Sequence, residues 1–323
     1  MSDEVHPKDR LRLERIENQA AAFEHALSIG RLHHAWMLTG PEGLGKASFA
    51  YRAARRLLGA KPDAAYGPLG AAPDDPVSRL IASSAHPDFL VLERTGEGAR
   101  KVIPVDEARR LPEFFSKAPA MGPYRVAIID AVDDFNANGA NAVLKTLEEP
   151  SGRGVLFLIS HAPGRLLPTI RSRCRTLAFR PWPLAATAAF VQARSNLNPE
   201  EAEAVAEMAG GSPGQAMALL NGDAVKLDQL ARRIVESPMA LERAPLSAFA
   251  DSLRGGEGMA RLTMFLERLA AAVRAKAASA DPREAARWAE AWGRLESLGP
   301  RVEGLNLDRA DAFWSAIRDL RAV

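Results

Sequence analysis

The stretch Gly40-Pro-Glu-Gly43-Leu-Gly45-Lys46 has the residue types needed to hold phosphate. Glycines at 40, 43 and 45 let backbone N–H groups converge on phosphate oxygens, a helix start behind them adds partial positive charge, and Lys46 can reach the outer phosphates. The next position governs the metal. A hydroxyl there would ligate magnesium, but this chain has Ala47, and Ser48 lies about 100° further round the helix, turned away from the ion. The chemistry expected of this loop is binding of ATP or ADP at a degenerate site, with magnesium poorly held.

A second group of chemical interest ends the apolar run RVAIID. Asp130 stands at the carboxyl end of that run, where an acid can hold magnesium through water. The following residue should orient or deprotonate an attacking water, and Ala131 can do neither. Asp133 and Asp134 come next. They read either as caps of a helix entry or solvated acids, or as a substitute base in an otherwise ordinary ATPase. Ala47 and Ala131 strike two different duties of one site, and together they argue against self-sufficient hydrolysis.

These groups need a scaffold, and the first half of the chain supplies the pattern of one. Short apolar runs at 35–39, 88–92, 125–130, 154–160 and 176–179 read as buried parallel strands separated by helical stretches. Strand, glycine loop, lysine and helix in that order is the P-loop layout. The segment Lys61 to Pro76, interrupted by prolines and glycines, is expected to form an exposed excursion. After the prolines of PWPL at 181–184 the strand pattern stops and helical patterns follow at 185–194, 199–208 and 212–220, then to the C-terminus. The stripe Leu307, Ala310, Phe313, Trp314, Ile317, and the stretches 259–278 and 288–295, read as helix faces packed in an intrachain core, with a partner interface as the alternative. The fold class is therefore an α/β P-loop domain with a parallel sheet, followed by helices.

The bulk numbers narrow the functions. The chain has 323 residues, long enough for two or three domains, and its 42 basic and 40 acidic residues leave no overall field to draw it to nucleic acid. One cysteine, Cys174, excludes an intramolecular disulfide and a thiolate zinc cluster. His33, His34, His86 and His161 lack ligand spacing and read as surface or packing residues. The opening residues carry no apolar signal stretch and no later segment is long and apolar enough to span a bilayer, so a cytoplasmic protein without membrane contact is expected.

The segments NAVLKTLEEP at 141–150 and TIRSRC at 169–174 add what the phosphate loop alone does not. Through them, over most of 31–180, the chain resembles the clamp-loader branch of the AAA+ ATPases. Ala131, GSPG at 211–214 and the HAW opening to the first strand resemble its delta prime members rather than the ATP-hydrolysing gamma and tau members. The resemblance implies an AAA+ core over 1–181, a three-helix lid over 182–222 and an all-α collar over 223–323 that joins subunits into an open pentameric ring.

It further implies that Ser172, Arg173 and Cys174 lie on a face presented to the neighbouring subunit, with Arg173 reaching that subunit's ATP as an arginine finger. Ser160 falls at the family's polar sensor position, where it can report on a phosphate or simply be a satisfied strand-end hydroxyl. Gly214 and Gln215 stand where an active member offers a sensor arginine. Many delta prime proteins carry a four-cysteine zinc module between the P-loop helix and the second strand; here 61–76 occupies that place without a thiol, so no zinc is expected. The implied partners are gamma/tau and delta subunits, the sliding clamp, and primed DNA gripped through its backbone, with helix starts near Asn138 to Asn141 as candidates. An ordinary gamma/tau-type ATPase, and a regulatory ATP-binding protein outside replication, are the competing readings.

Overall fold

The computed structural model describes residues 6–94, 103–135, 137–150, 152–221, 224–238, 243–256, 258–305 and 307–321. They form two compact units, Met1–Ala218 and Leu219–Val323.

In the first unit the apolar runs become five parallel strands, β1 (Ala35–Thr39), β2 (Phe89–Glu93), β3 (Arg125–Asp130), β4 (Gly154–Ser160) and β5 (Arg175–Ala178), ordered β2-β3-β4-β1-β5. Alternation along each strand sorts side chains to two faces. Trp36, Leu38, Val126, Ile128, Phe157 and Ile159 meet α1 (Glu17–Ser28) and α2 (Lys46–Leu57) through Phe23, Phe49 and Ala53. Met37, Leu92, Ala127, Ile129, Leu156 and Leu158 face the other way. They pack on α4 (Val105–Ser116), α5 (Ala137–Glu148) and the short α6 (Pro168–Ser172) through Leu111, Val143, Leu147 and Ile170. Both faces are covered, so the central strands carry no polar alternation.

β2 and β5 sit one residue from their expected positions. For β2 the cause is Asp88, whose side chain is wholly buried and accepts from the N–H groups of Ala120, Met121 and Gly122. This leaves Glu93 to pair in register with Asp130.

The segment 61–76 departs from expectation more clearly. It is not simply exposed: Leu69 and Ala71 are buried, Ala64–Tyr66 form a short 3-10 helix, and Pro76 begins α3 (Pro76–Ala82). The reason is Arg52 of α2. Its buried guanidinium donates to the carbonyls of Tyr66 (2.6 Å), Pro68 and Leu11, gathering the segment onto the helix.

Three helices follow the sheet, α7 (Leu184–Gln192), α8 (Pro199–Met208) and α9 (Pro213–Asn221). Asn198 caps α8 in a reciprocal pair with Glu201. The expected junction at 222/223 lies outside the described residues.

The second unit is helical: α10 (Ala224–Glu236), α11 (Arg243–Ser252), α12 (Gly258–Ser279), α13 (Pro282–Leu305) and α14 (Arg309–Arg321). Phe249, Phe265 and Phe313 meet at ring separations of 5.0 to 5.2 Å in its core, with Trp288, Leu295 and Ile317 buried around them. The expected stripe holds except at Leu307, which is 41% exposed because it precedes the helix.

Candidate nucleotide site and the arginine motif

The glycine loop has the conformation its sequence demands. Gly40, Gly43 and Gly45 have φ of 134°, 78° and 80°, the region glycine enters without a Cβ clash. At Gly43 there is also no room for a side chain, since a Cβ would lie 2.4 Å from Ser212 Oγ and 2.7 Å from the Gln215 nitrogen. That crowding arises because the start of α9 is tied to the loop: Ser212 Oγ donates to the Glu42 carbonyl at 2.8 Å and the Gly214 N–H to the Gly43 carbonyl at 2.8 Å.

Beside the loop is a cavity of about 730 Å³ lined by Gly43, Gly45, Lys46, Ala47 and Asp130. It also takes in Glu42, Glu93, Arg94, His161 and Gln215, and Ser48, expected from its place on the helix to turn away from the site, lines it as well. Lys46 is almost fully buried, and its Nζ donates to the carbonyls of Gly40 (2.6 Å) and Pro41 (2.5 Å). Burial pulls the ammonium down to about 8, against the opposing pull of Asp130, Glu42 and Asp133. Asp130 moves the other way. Burial, then the nearby Glu93, push its carboxyl up to about 6, and Arg94 and Lys46 only partly offset them.

The donor set suits phosphate better than magnesium. Glycine N–H groups and the start of α2 suit an anion, but Ala47 offers no oxygen. The carboxylates at the cavity are Asp130, Glu42 and Glu93, and Glu93 already accepts from Tyr51 Oη at 2.9 Å. Among the described residues no group of three or more His, Cys, Asp or Glu side chains could hold a metal ion.

The two acids after Ala131 are both engaged. Asp133 accepts from Ser160 Oγ at 2.9 Å, from the His161 N–H at 2.6 Å and from the Ala162 N–H at 3.3 Å. Asp134 accepts from Arg94 Nε and from the Ala131 N–H. The Ser160 hydroxyl, wholly buried at the end of β4, is thereby satisfied by Asp133 and does not line the cavity.

Arg173 is elsewhere, just past the end of α6 and not among the residues lining the cavity. Its Nη1 donates to the Thr169 carbonyl at 3.1 Å and its Nη2 pairs with Glu148 Oε1 at 3.0 Å. Ser172 Oγ donates to the same carbonyl at 3.2 Å. Cys174 packs against the core beneath, where burial raises its thiol to about 12 and makes it a poor nucleophile. Asn138 and Asn141 are exposed near the start of α5. Sequence reasoning missed Glu93, Arg94 and His161 at the cavity. For the first two a signal was available, the polar end of the run FLVLE followed by arginine.

Among the described residues no helix is long and apolar enough to cross a membrane. A family model described as DNA polymerase III, delta subunit, matches residues 16–183. The chain is 41% identical to the DNA polymerase III subunit delta' of Pseudomonas aeruginosa over 67% of its own length and 63% of that protein's. It is 31% identical to the gamma/tau subunit of Mycobacterium bovis over 64% of its length and 35% of that protein's. Among solved structures, a gamma subunit-related protein from Thermotoga maritima aligns with a TM-score of 0.47 at 16% identity, covering 96% of this chain and 99% of its own. The chain thus spans less than two thirds of the length of the curated delta' relatives it matches. The extent of the family match, which takes in the phosphate loop, the acidic strand and the SRC segment together, places the chain in the DNA polymerase III delta-subunit family, with relatives of the delta' kind.

Proposed function

We propose that this chain is a non-hydrolysing stator of a clamp loader: a delta prime-type subunit that lends Arg173 to a neighbour's ATP while its own nucleotide site does no chemistry. The supporting observation is the engagement of Asp133 and Asp134. Each carboxylate that could replace the base lost at Ala131 already holds hydrogen bonds within the fold. A general base must reach the proton it takes, and these two are turned to other partners, which weighs against the gamma/tau-type alternative.

In this reading ATP or ADP is at most a weakly held ligand of the cavity. A triphosphate would have to draw Lys46 from two carbonyls and would find no hydroxyl at position 47 for its magnesium. Arg173, at the surface, supplies positive charge to a phosphoryl group transferring on the adjacent subunit, an effect worth about 10³- to 10⁵-fold in GTPases. Residues 1–181 serve as the AAA+ core, 182–222 as a lid and 223–323 as a collar. The subunit works in the cytoplasm with gamma/tau and delta subunits in a hetero-pentamer that opens the sliding clamp and places it on primed DNA.

The test is reconstitution with gamma/tau and delta subunits, clamp and primed DNA. The isolated chain is expected to show no steady ATP turnover, and Arg173→Ala to leave assembly intact while lowering turnover by the complex. Steady hydrolysis by the isolated chain, abolished by Lys46→Ala, would overturn the reading, as would unchanged turnover by an Arg173→Ala complex at equal assembly.

A further inference from the structure

The segment that carries the arginine and the segment LKTLEEP stand apart in sequence, yet they meet at one contact, Glu148 with Arg173. Glu148 is the last residue of α5 and Arg173 follows the last residue of α6. Leu147 and Ile170, next to this contact on each helix, are buried in the same core cluster, with Cys174 packed against it. The two backbones are therefore fixed relative to one another before the side chains touch. This distinguishes the pair from surface ion pairs whose partners sit on independent segments.

We infer that Glu148 is a positioning residue for Arg173: with the Thr169 carbonyl it holds the guanidinium in one orientation before a neighbour's phosphate arrives. The inference rests on the reading of Arg173 as a finger acting in trans. An exposed arginine has many rotamers, and a finger helps only the transition state, so freedom lost in advance is not lost at the chemical step. A guanidinium carries five N–H donors. The two contacts engage one on Nη1 and one on Nη2, at 3.1 and 3.0 Å, and so fix the plane while the remainder of the fork can address an anion. The pair is partly exposed, 37% for the arginine and 53% for the glutamate. An exposed pair of this kind supplies little, which sets the expected effect at about two- to five-fold.

The experiment is ATP turnover by the reconstituted complex containing Glu148→Ala, Glu148→Gln or Arg173→Ala, each checked for equal assembly by gel filtration. Glu148→Ala is expected to lower kcat about two- to five-fold with KM for ATP unchanged. Glu148→Gln, which keeps an acceptor oxygen, is expected to fall between it and the parent. Arg173→Ala should lower kcat further, and Glu148→Ala added to it should have no additional effect. If Arg173→Ala lowers turnover while both Glu148 variants match the parent, the positioning role is wrong and the finger stands. A rise in kcat in Glu148→Ala would instead make the glutamate a brake and overturn the inference. Unchanged turnover in Arg173→Ala would remove the reading on which the inference depends.

Discussion

Asp133 separates a structural acid from a catalytic one, and replacing it with alanine gives the two roles opposite signatures. In the folded chain its carboxylate satisfies Ser160 Oγ, whose residue is wholly buried, and the N–H groups of His161 and Ala162. Removing it leaves those donors at the end of β4 without their partner. A buried donor so orphaned costs about 1–3 kcal/mol. The Ala162 contact is long and adds little, so the loss should be about 2–4 kcal/mol. For a unit of this size each kcal/mol moves the midpoint by about 2–4 °C, giving a fall of about 4–16 °C. Asp133→Asn keeps one acceptor oxygen and should lose about half as much. Calorimetry of the full chain, with urea titration as a second measure, reads the loss, and ATP turnover by the assembled complex is followed in parallel. The structural role predicts a lowered midpoint with turnover per assembled complex retained. An Asp133→Ala chain that melts with the parent while turnover by its complex collapses would show that the carboxylate does chemistry.

Three further outcomes are expected. Asp130 has a folded-state value raised to about 6 from 3.8, so the native state binds its proton more tightly than the unfolded chain does. Stability from this group is greatest in acid and declines as pH rises between about 4 and 6; Asp130→Asn should therefore stabilise the chain by about 1–3 kcal/mol at pH 7 and have little effect below pH 4, as read by urea titration across pH. Arg52→Ala should free 61–76 from α2, seen as faster cleavage there in limited proteolysis and a midpoint lowered by several degrees, because its carbonyl partners lose a buried donor. Gly43→Ala should cost about 1–3 kcal/mol in a melting experiment, since the new Cβ meets the backbone at the start of α9 and the residue must hold a positive φ.

The layout of the first unit was legible because its strands are buried on both faces and so appear as unbroken apolar runs. The phosphate loop was legible for a related reason: glycines at 40, 43 and 45 occupy backbone positions that only glycine takes easily, and such a requirement leaves its trace residue by residue. Long-range pairing left none. Nothing near Asp133 announces a serine 27 residues on as its partner, and nothing in FLVLE says that its strand lies beside the one ending in Asp130. The burial of 61–76 was missed for the same reason. Its prolines and glycines truly forbid a long helix or strand, but whether irregular chain lies exposed depends on what captures it, and here the captor is an arginine on a helix already passed. Glu148 and Arg173 were each within recognised segments, while the contact between them belongs only to the fold.

The guanidinium of Arg52 has a further implication. It gathers two separate stretches of main chain, at Leu11 and at Tyr66 to Pro68, by charge on carbonyl dipoles, a contact that uses neither metal ligation nor a thiol. Burial, then Arg55, draw it down to about 10, still well above neutrality, so it remains charged wherever the protein functions. A clasp of this kind ignores chelators, reductants and metal supply. This part of the molecule should hold its shape equally in a starved cell and a replete one, and under oxidising and reducing conditions alike.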